Sequence, residues 1–455
     1  MVLVFLPGQA YPTVAERQAG GVCVETDRSW YLAGEAMKVS VTIERQQGGE
    51  SAEIDAVIAY AELCDTHGLA AGVVVGLQEG TGRGTIELPM DLHSGYYLLS
   101  VYTRHDPHVT HRLVAVVNPL RKRADDDIEW VSITHPDSLS YPESTTVRSA
   151  TSGDASLAKN HPPSTIHHPL GDVRRRFACE EPSTITLRET EGHIIEARVK
   201  NVYGGHAFKG SQISPSLSIV GKQIHYFEGR MVDDSTAVFN TFGLHGRQPL
   251  VLSAMTSTGT SLPIEMISPF AALVPRELPH LVFRYKRSEV EARSISMQRR
   301  QASERLRAGE SAGMEEVVVP LDYDETLFGN HPDLTYNLDE YRQFLTVREV
   351  LLEYVKCVRV NRSNNVTQLT VRKTQDSYNS SWPSMVLIDG MPVADVERFL
   401  NYDARRVHFI NIYGGQYTFG NGVYNGILSV VTRSGRLTNY PVERNMQYLV
   451  YGFPE

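Results

Sequence analysis

The chain has 455 residues, with 44 Lys+Arg against 53 Asp+Glu and a formal net charge of −9. That length suits two to four domains of roughly 100–200 residues each, and the acidic balance disfavours nucleic acid as the main partner, because polyanion binders carry a basic excess. With 41% hydrophobic and 21% charged residues the composition is globular rather than disordered, and four cysteines exclude a disulfide-dense scaffold.

In chain order, Met1–Leu6 is apolar and is followed by Pro7-Gly-Gln-Ala10. This resembles the tail end of a secretory signal whose basic part is missing; a start assigned too late would explain it, and a buried N-terminal strand is the alternative. Residues 1–19 are therefore set apart as an extension. No apolar run reaches the ~20 residues of a spanning helix, so no transmembrane segment is expected. Cys23, Cys64, Cys179 and Cys357 are far apart and form no C-x-x-C, which argues against a zinc site; free thiols are expected, with a Cys23–Cys64 bridge as the alternative.

Residues 20–120 carry short β-branched or aromatic runs, Val39–Ile43, Ala56–Ala61, Gly72–Gly76 and Tyr96–Tyr102, separated by turn clusters. Strands about ten residues apart point to a β-sandwich. Residues 121–180 are rich in Pro, Ser and His and read as a linker. Strand-like runs return over 181–275, as a second sandwich. Residues 276–312 read as a connecting helix, charge-rich with a thin apolar stripe. In 313–455, Thr346-Val-Arg-Glu349 is a capping box, with Leu345 placed to staple onto Val350. Strands follow at 357–360, 368–372, 385–388, 407–413 and 427–431, with a short helix at 393–400 and a Gly-rich loop, 414–426.

Two stretches resemble known families. Thr26-Asp-Arg-Ser-Trp-Tyr-Leu-Ala-Gly-Glu35, with Gly82–Leu88 and Ser94-Gly-Tyr-Tyr97, resembles the opening domain of macroglobulin-like proteins. The thioester motif of that family, Gly-Cys-Gly-Glu-Gln, is absent, which removes covalent protease capture. Met385-Val-Leu-Ile-Asp-Gly-Met-Pro-Val393, then Val407–Gly415, Phe419-Gly420 and Tyr424-Asn-Gly-Ile-Leu-Ser-Val-Val-Thr-Arg433, looks like the plug domain of TonB-dependent outer-membrane receptors. The combination resembles a group of Bacteroidetes envelope proteins. A receptor's barrel would need several hundred residues after the plug, and 22 follow Arg433. The plug-like unit is thus expected to fit a partner's barrel or to serve as a soluble recognition module.

The expected fold is mainly β and multidomain: two β-sandwich (Ig/macroglobulin-like) domains plus a C-terminal α+β plug-like domain. The resemblance implies an exported, non-catalytic protein, in the periplasm or at the outer membrane, that binds an envelope protein. No cofactor or metal is assigned. Asp389, Gly390 and Pro392 read as a structural turn, in which Asp bonds its own downstream amides, Gly supplies positive φ and Pro stops the strand. Tyr413, Tyr417, Phe419 and Tyr424 on the Gly-rich loop are the candidate interaction residues, with rings packed back on the sheet as the alternative.

Other chemistry is sparser. Val317-Val-Val-Pro-Leu-Asp-Tyr-Asp-Glu-Thr-Leu327 fits the first motif of haloacid-dehalogenase-like phosphatases. Asp322 would be the nucleophile and Asp324 the general acid, with Mg²⁺ between them. The later acidic pair of that fold is missing, so this stays an alternative function. A soluble carbohydrate- or peptide-binding module is a further one. His105, His108 and His111, spaced by three, would make at most a weak metal site.

Overall fold

The computed structural model describes residues 22–43, 57–104, 108–120, 126–131, 145–148, 166–169, 189, 192–221, 224–256, 259–314, 323–363, 366–371, 384–419, 422–437 and 440–454. The fold is mainly β. It divides into two compact units: residues 1–190 with 272–291, and residues 191–271 with 292–455.

In the first unit, Val22–Thr26, Ala36–Ile43 and Thr81–Glu87 form an antiparallel three-stranded sheet. A second sheet runs in the order Ile166–Pro169, His108–Val117, Gly95–Tyr102, Ile58–Cys64, Leu69–Gly76, with Trp30–Leu32 added parallel to His108–Val117. The period-two pattern sets the packing. Val22, Val24, Met37, Val39, Val41 and Ile86 meet Ala61, Leu63, Tyr97, Leu99, Val101, Val114 and Val116 in one buried core. Glu79 and Gly80, both at positive φ, turn the chain between Gln78 and Thr81. The strand that follows contains Gly82 and Gly84, and a Cβ at Gly82 would lie 2.2 Å from the Gly76 carbonyl. Such close strand approach needs glycine, which is why Glu79–Gly82, at the start of this strand, reads as a turn cluster in the sequence.

Two expected segments are corrected here. Within the supposed linker 121–180, Ile128–Trp130, Thr145–Arg148 and Ile166–Pro169 are strands; the remaining linker residues lie largely outside the described ones. The supposed connecting helix, 276–312, begins with a strand, His280–Phe283, parallel to Ile128–Trp130 and antiparallel to Thr145–Arg148. Its Phe283 is fully buried, edge-on to Trp30 and Trp130 at 5.0 and 5.1 Å. The helix proper is Arg287–Met314, with Val290, Ser294 and Met297 buried at helical spacing.

The segment that returns to this unit is held by a buried acid. Glu62 is fully buried and accepts from the amides of Ala272 (3.0 Å) and Leu273 (2.6 Å) and from the Tyr102 hydroxyl (3.1 Å). Charge-assisted bonds of this kind offset the cost of burying a carboxylate. Cys23 and Cys64 are not joined in a disulfide, and Cys357 is a free thiol. His111 is not on a loop: it is buried in His108–Val117, with Nδ1 2.9 Å from the Ser100 hydroxyl. His105 and the side chain of His108 lie outside the described residues.

The second unit contains a seven-stranded antiparallel sheet in the order Ile264–Met266, His193–Val199, Thr236–Thr241, His225–Met231, Ile213–Ile219, Gly246–Thr256, Gln447–Phe453. Its inner faces bury Ile195, Leu217, Phe227, Phe239, Leu250, Leu252, Tyr451 and Phe453. The last strand is supplied from the expected plug-like domain, so 181–275 and 313–455 do not separate at the expected boundaries. The physical reason is alternation: Leu449, Tyr451 and Phe453 point into the sandwich core while Tyr448 and Val450 point out.

The rest of this unit is a five-stranded sheet, Leu334–Asn337, Val407–Phe419, Gly422–Thr432, Met385–Ile388, Met391–Pro392, in which Met385–Ile388 runs parallel to Gly422–Thr432. Helices Val347–Glu353 and Val396–Leu400 and the hairpin Val358–Ser363/Val366–Val371 share its core through Val347, Leu351, Phe399, Leu369, Ile388, Ile410 and Val430. The capping box forms: Thr346 Oγ1 accepts from the Glu349 amide, and Glu349 Oε2 accepts from the Thr346 amide at 3.0 Å. The staple does not cover Leu345, which is 65% exposed.

Candidate functional site

Strand Met385–Ile388 ends in Asp389-Gly390, and Ile388 pairs with Met391 across them. Both turn residues have positive φ, 47° and 88°. A two-residue hairpin turn with this backbone favours Asp-Gly. The bonding differs from the expectation. Instead of capping its own downstream amides, Asp389 reaches across the sheet. Its Oδ1 accepts from the Thr432 amide, and its Oδ2 from the Thr432 hydroxyl and the Leu437 amide, all at 2.6 Å. Burial pushes its carboxyl up to about 6, with the Thr432 and Leu437 donors pulling the other way. Pro392 does not end the pairing; it sits opposite Leu387 in a short strand. A Cβ on Gly390 would fall 2.7 Å from Ile224 Cγ2 and 3.1 Å from the Ile219 carbonyl. The turn is therefore pressed against the seven-stranded sheet.

The aromatic stretch is a hairpin rather than a loop. Val407–Phe419 and Gly422–Thr432 pair along their length, with irregularities between Val407 and Phe409 and between Tyr413 and Gln416, the second where Gly415 takes φ 113°. Tyr413 is buried and donates to the Glu325 carbonyl, so it offers no contact surface. Tyr417 lies opposite Tyr424 in the ladder. Both pack with Ile224, Tyr226 and Phe328 around Leu327, Met385 and Leu387. Phe419 pairs with Gly422 through its backbone. Burial raises the Tyr413, Tyr417 and Tyr424 hydroxyls above their ordinary range.

Asp324 is exposed and accepts from the Thr326 amide at 2.9 Å, an Asx turn. Asp322 lies outside the described residues. Among the described residues no group of three His, Cys, Asp or Glu side chains is placed to hold a metal.

A different surface was not singled out by the sequence reading. The segment 334–354 carries Tyr336, Tyr341, Phe344 and Tyr354, and three of them assemble into one aromatic wall. Tyr341 and Tyr354 are 4.7 Å apart by ring centroid, and Phe344 and Tyr354 5.4 Å. The Tyr354 hydroxyl donates to the Arg342 carbonyl at 3.2 Å, which fixes the wall to the preceding loop. With Leu338, Val350 and Ala404 as floor and Arg342, Arg405 and Arg433 on the rim, they line a shallow cleft. Two of the arginines are tied down: Arg405 binds Asp403 through both oxygens at 2.8 and 2.9 Å, and Arg433 bonds Asp339 and the Arg405 carbonyl. Hydrogen bonding from these arginines holds the Asp403 and Asp339 carboxyls below the usual range. Arg342 is exposed and makes no ion pair among the described residues, and exposed Leu345 flanks it. Tyr, Phe and Arg clustered at a surface are the residue types that concentrate binding energy at protein interfaces. The density of aromatics between Tyr336 and Tyr354 is the sequence signal that could have found it.

No family model and no curated protein matches the chain. Among solved structures, it is similar to Escherichia coli alpha-2-macroglobulin activated by porcine elastase, at 10% identity over 55% of this chain and 20% of that one, with a TM-score of 0.18. Salmonella alpha-2-macroglobulin reacted with methylamine gives 11% identity over 58% and 15%, TM-score 0.19. Dimeric latent PorU from Porphyromonas gingivalis gives 9% over 91% and 34%, TM-score 0.17. The chain thus spans a fifth or less of the two macroglobulins and about a third of the third protein. TM-scores this low carry neither a shared fold nor a shared activity over to this chain.

Proposed function

We propose that this is a non-catalytic recognition protein of the cell envelope, exported and docking onto a partner protein at the outer membrane, near a transport barrel. The observation that carries the recognition role is the aromatic and arginine cleft of Tyr341, Phe344, Tyr354 and Arg342 with exposed Leu345 beside it. The envelope assignment rests on the sequence resemblances at 26–97 and 385–433. Asp389 accepts from Thr432 and Leu437, and Tyr413, Tyr417 and Tyr424 belong to one cluster with Leu327, Met385 and Leu387.

The test is mild crosslinking of the tagged protein in bacterial envelopes, comparing the unsubstituted chain with Arg342→Glu and Leu345→Glu. Both positions are exposed, so the fold tolerates the changes. Recovery of a β-barrel protein that falls at least roughly tenfold in both variants supports the reading. Equal recovery in all three moves the binding surface elsewhere; a partner found only in the cytoplasm ends the envelope assignment.

A further inference from the structure

The strand Gln447–Phe453 closes one end of the seven-stranded sheet, and among the described residues no strand pairs with its other side. Hydrogen-bond parity shows which groups face outward. On the neighbouring strand the Pro249 carbonyl accepts from Val220 on the inner side, and the Ala254 carbonyl turns the opposite way, to Leu262. Odd-numbered residues of Gly246–Thr256 therefore face the sheet interior, and even-numbered ones face Gln447–Phe453. The register pairs Leu250 with Leu449 and Gln248 with Tyr451. This leaves the N–H and C=O of Tyr448, Val450 and Gly452 pointing away from the sheet. Their side positions are open too: Tyr448 is 47% and Val450 52% exposed, and a Cβ on Gly452 would meet nothing within 4 Å.

Soluble sheets protect such an edge with charges, prolines or bulges. Gln-Tyr-Leu-Val-Tyr-Gly-Phe has none of these, and its register against Gly246–Thr256 is unbroken. We infer that this edge pairs with the same strand of a second copy of this chain, antiparallel about a two-fold axis through Val450. That axis sets Val450 against Val450 and Tyr448 against Gly452. All outward-facing groups then fall on hydrogen-bonded pairs, and no like charges oppose. The Tyr448 ring covers the bare Gly452 of the other copy, a pairing known to stabilise glycine in sheets. Arg247, next to Gly452 in register and exposed, is placed to lie under that ring. An interface built on one strand is smaller than the ~1,200 Å² of a stable complex, so the dimer is weak and concentration-dependent.

The test is sedimentation equilibrium of the whole chain from ~5 to ~300 µM, alongside Val450→Lys, and mild oxidation of Val450→Cys with Val202→Cys as an exposed control elsewhere in the same unit. Opposed residues on such a pair sit ~5.5 Å apart at Cα, within disulfide range. The expected result is a reversible dimer, weakened at least roughly tenfold by Val450→Lys, and a disulfide-linked dimer from Val450→Cys but not from Val202→Cys. Circular dichroism unchanged from the parent shows that the variants fold. A chain monomeric throughout, with no specific crosslink, overturns the inference and leaves the edge to a strand from another protein. A dimer indifferent to Val450→Lys overturns it as well.

Discussion

Asp389 shows how one side chain can look catalytic and be structural. A fully buried carboxylate with its titration moved to about 6 has the profile of an active-site acid. Yet its oxygens are taken up by the Thr432 and Leu437 amides and the Thr432 hydroxyl. Because its folded value lies above the ordinary 3.8, the folded state binds this proton more tightly than the unfolded chain does. Its contribution to stability is complete below about pH 4 and is lost as pH rises through about 6, by about 3 kcal/mol in all. Urea unfolding at pH 4.5 and 7 should show that component, and Asp389→Asn should lack it; parallel pH profiles would refute it. At the next residue, Gly390→Ala forces a Cβ into Ile224 at a backbone angle that favours glycine. It should cost about 2 kcal/mol, read as a lower urea midpoint at unchanged slope.

Among the elements, the seven-residue helix Val347–Glu353 is too short to persist by propensity and depends on its cap and its buried face. Thr346→Ala should lower stability by about 1 kcal/mol, and Thr346→Ser should restore it. The capping box was legible in the sequence because its signal is local: four residues satisfy each other. The clean alternation of Ala36–Ile43 and the continuous apolar and aromatic run of Gly95–Tyr102 were legible for the same reason. Thr81–Glu87 was hidden because its glycines answer to a neighbouring strand, which the local sequence does not show. The Asp389 latch was half legible: Asp-Gly announces a turn, but donors 43 and 48 residues away cannot be read from spacing. The same limit hid the Glu62 clamp, whose partners lie more than 200 residues on. Glu62→Ala should cost about 3 kcal/mol and speed hydrogen exchange at Ala272 and Leu273 far more than at Val114.

For the whole molecule, the sequence reading divided the chain into successive blocks, and the structure interleaves them. The first unit takes back Ala272–Glu291 after the chain has passed through the second, and the second sandwich receives its last strand from 447–453. A fragment of residues 191–271 should therefore fail to fold, for want of Tyr451 and Phe453 in its core, while 191–455 should give dispersed amide resonances. Dispersed resonances from 191–271 would show the last strand to be dispensable. Truncations after residue 384 would for the same reason damage the second sandwich, so binding surfaces in this unit are better tested by single substitutions at exposed positions.

Those two late returns also bear on synthesis. As the chain leaves the ribosome, the first unit lacks the strand ending at Phe283 and the clamp on Glu62 until about residue 291 has emerged. The second sandwich waits for residue 453. Through most of translation both units hold unpaired sheet edges and bare apolar faces, the state in which nascent chains are most prone to associate wrongly. Holding the chain unfolded until the last strand is available, as chaperones that escort exported precursors do, would suit this order of assembly better than folding block by block.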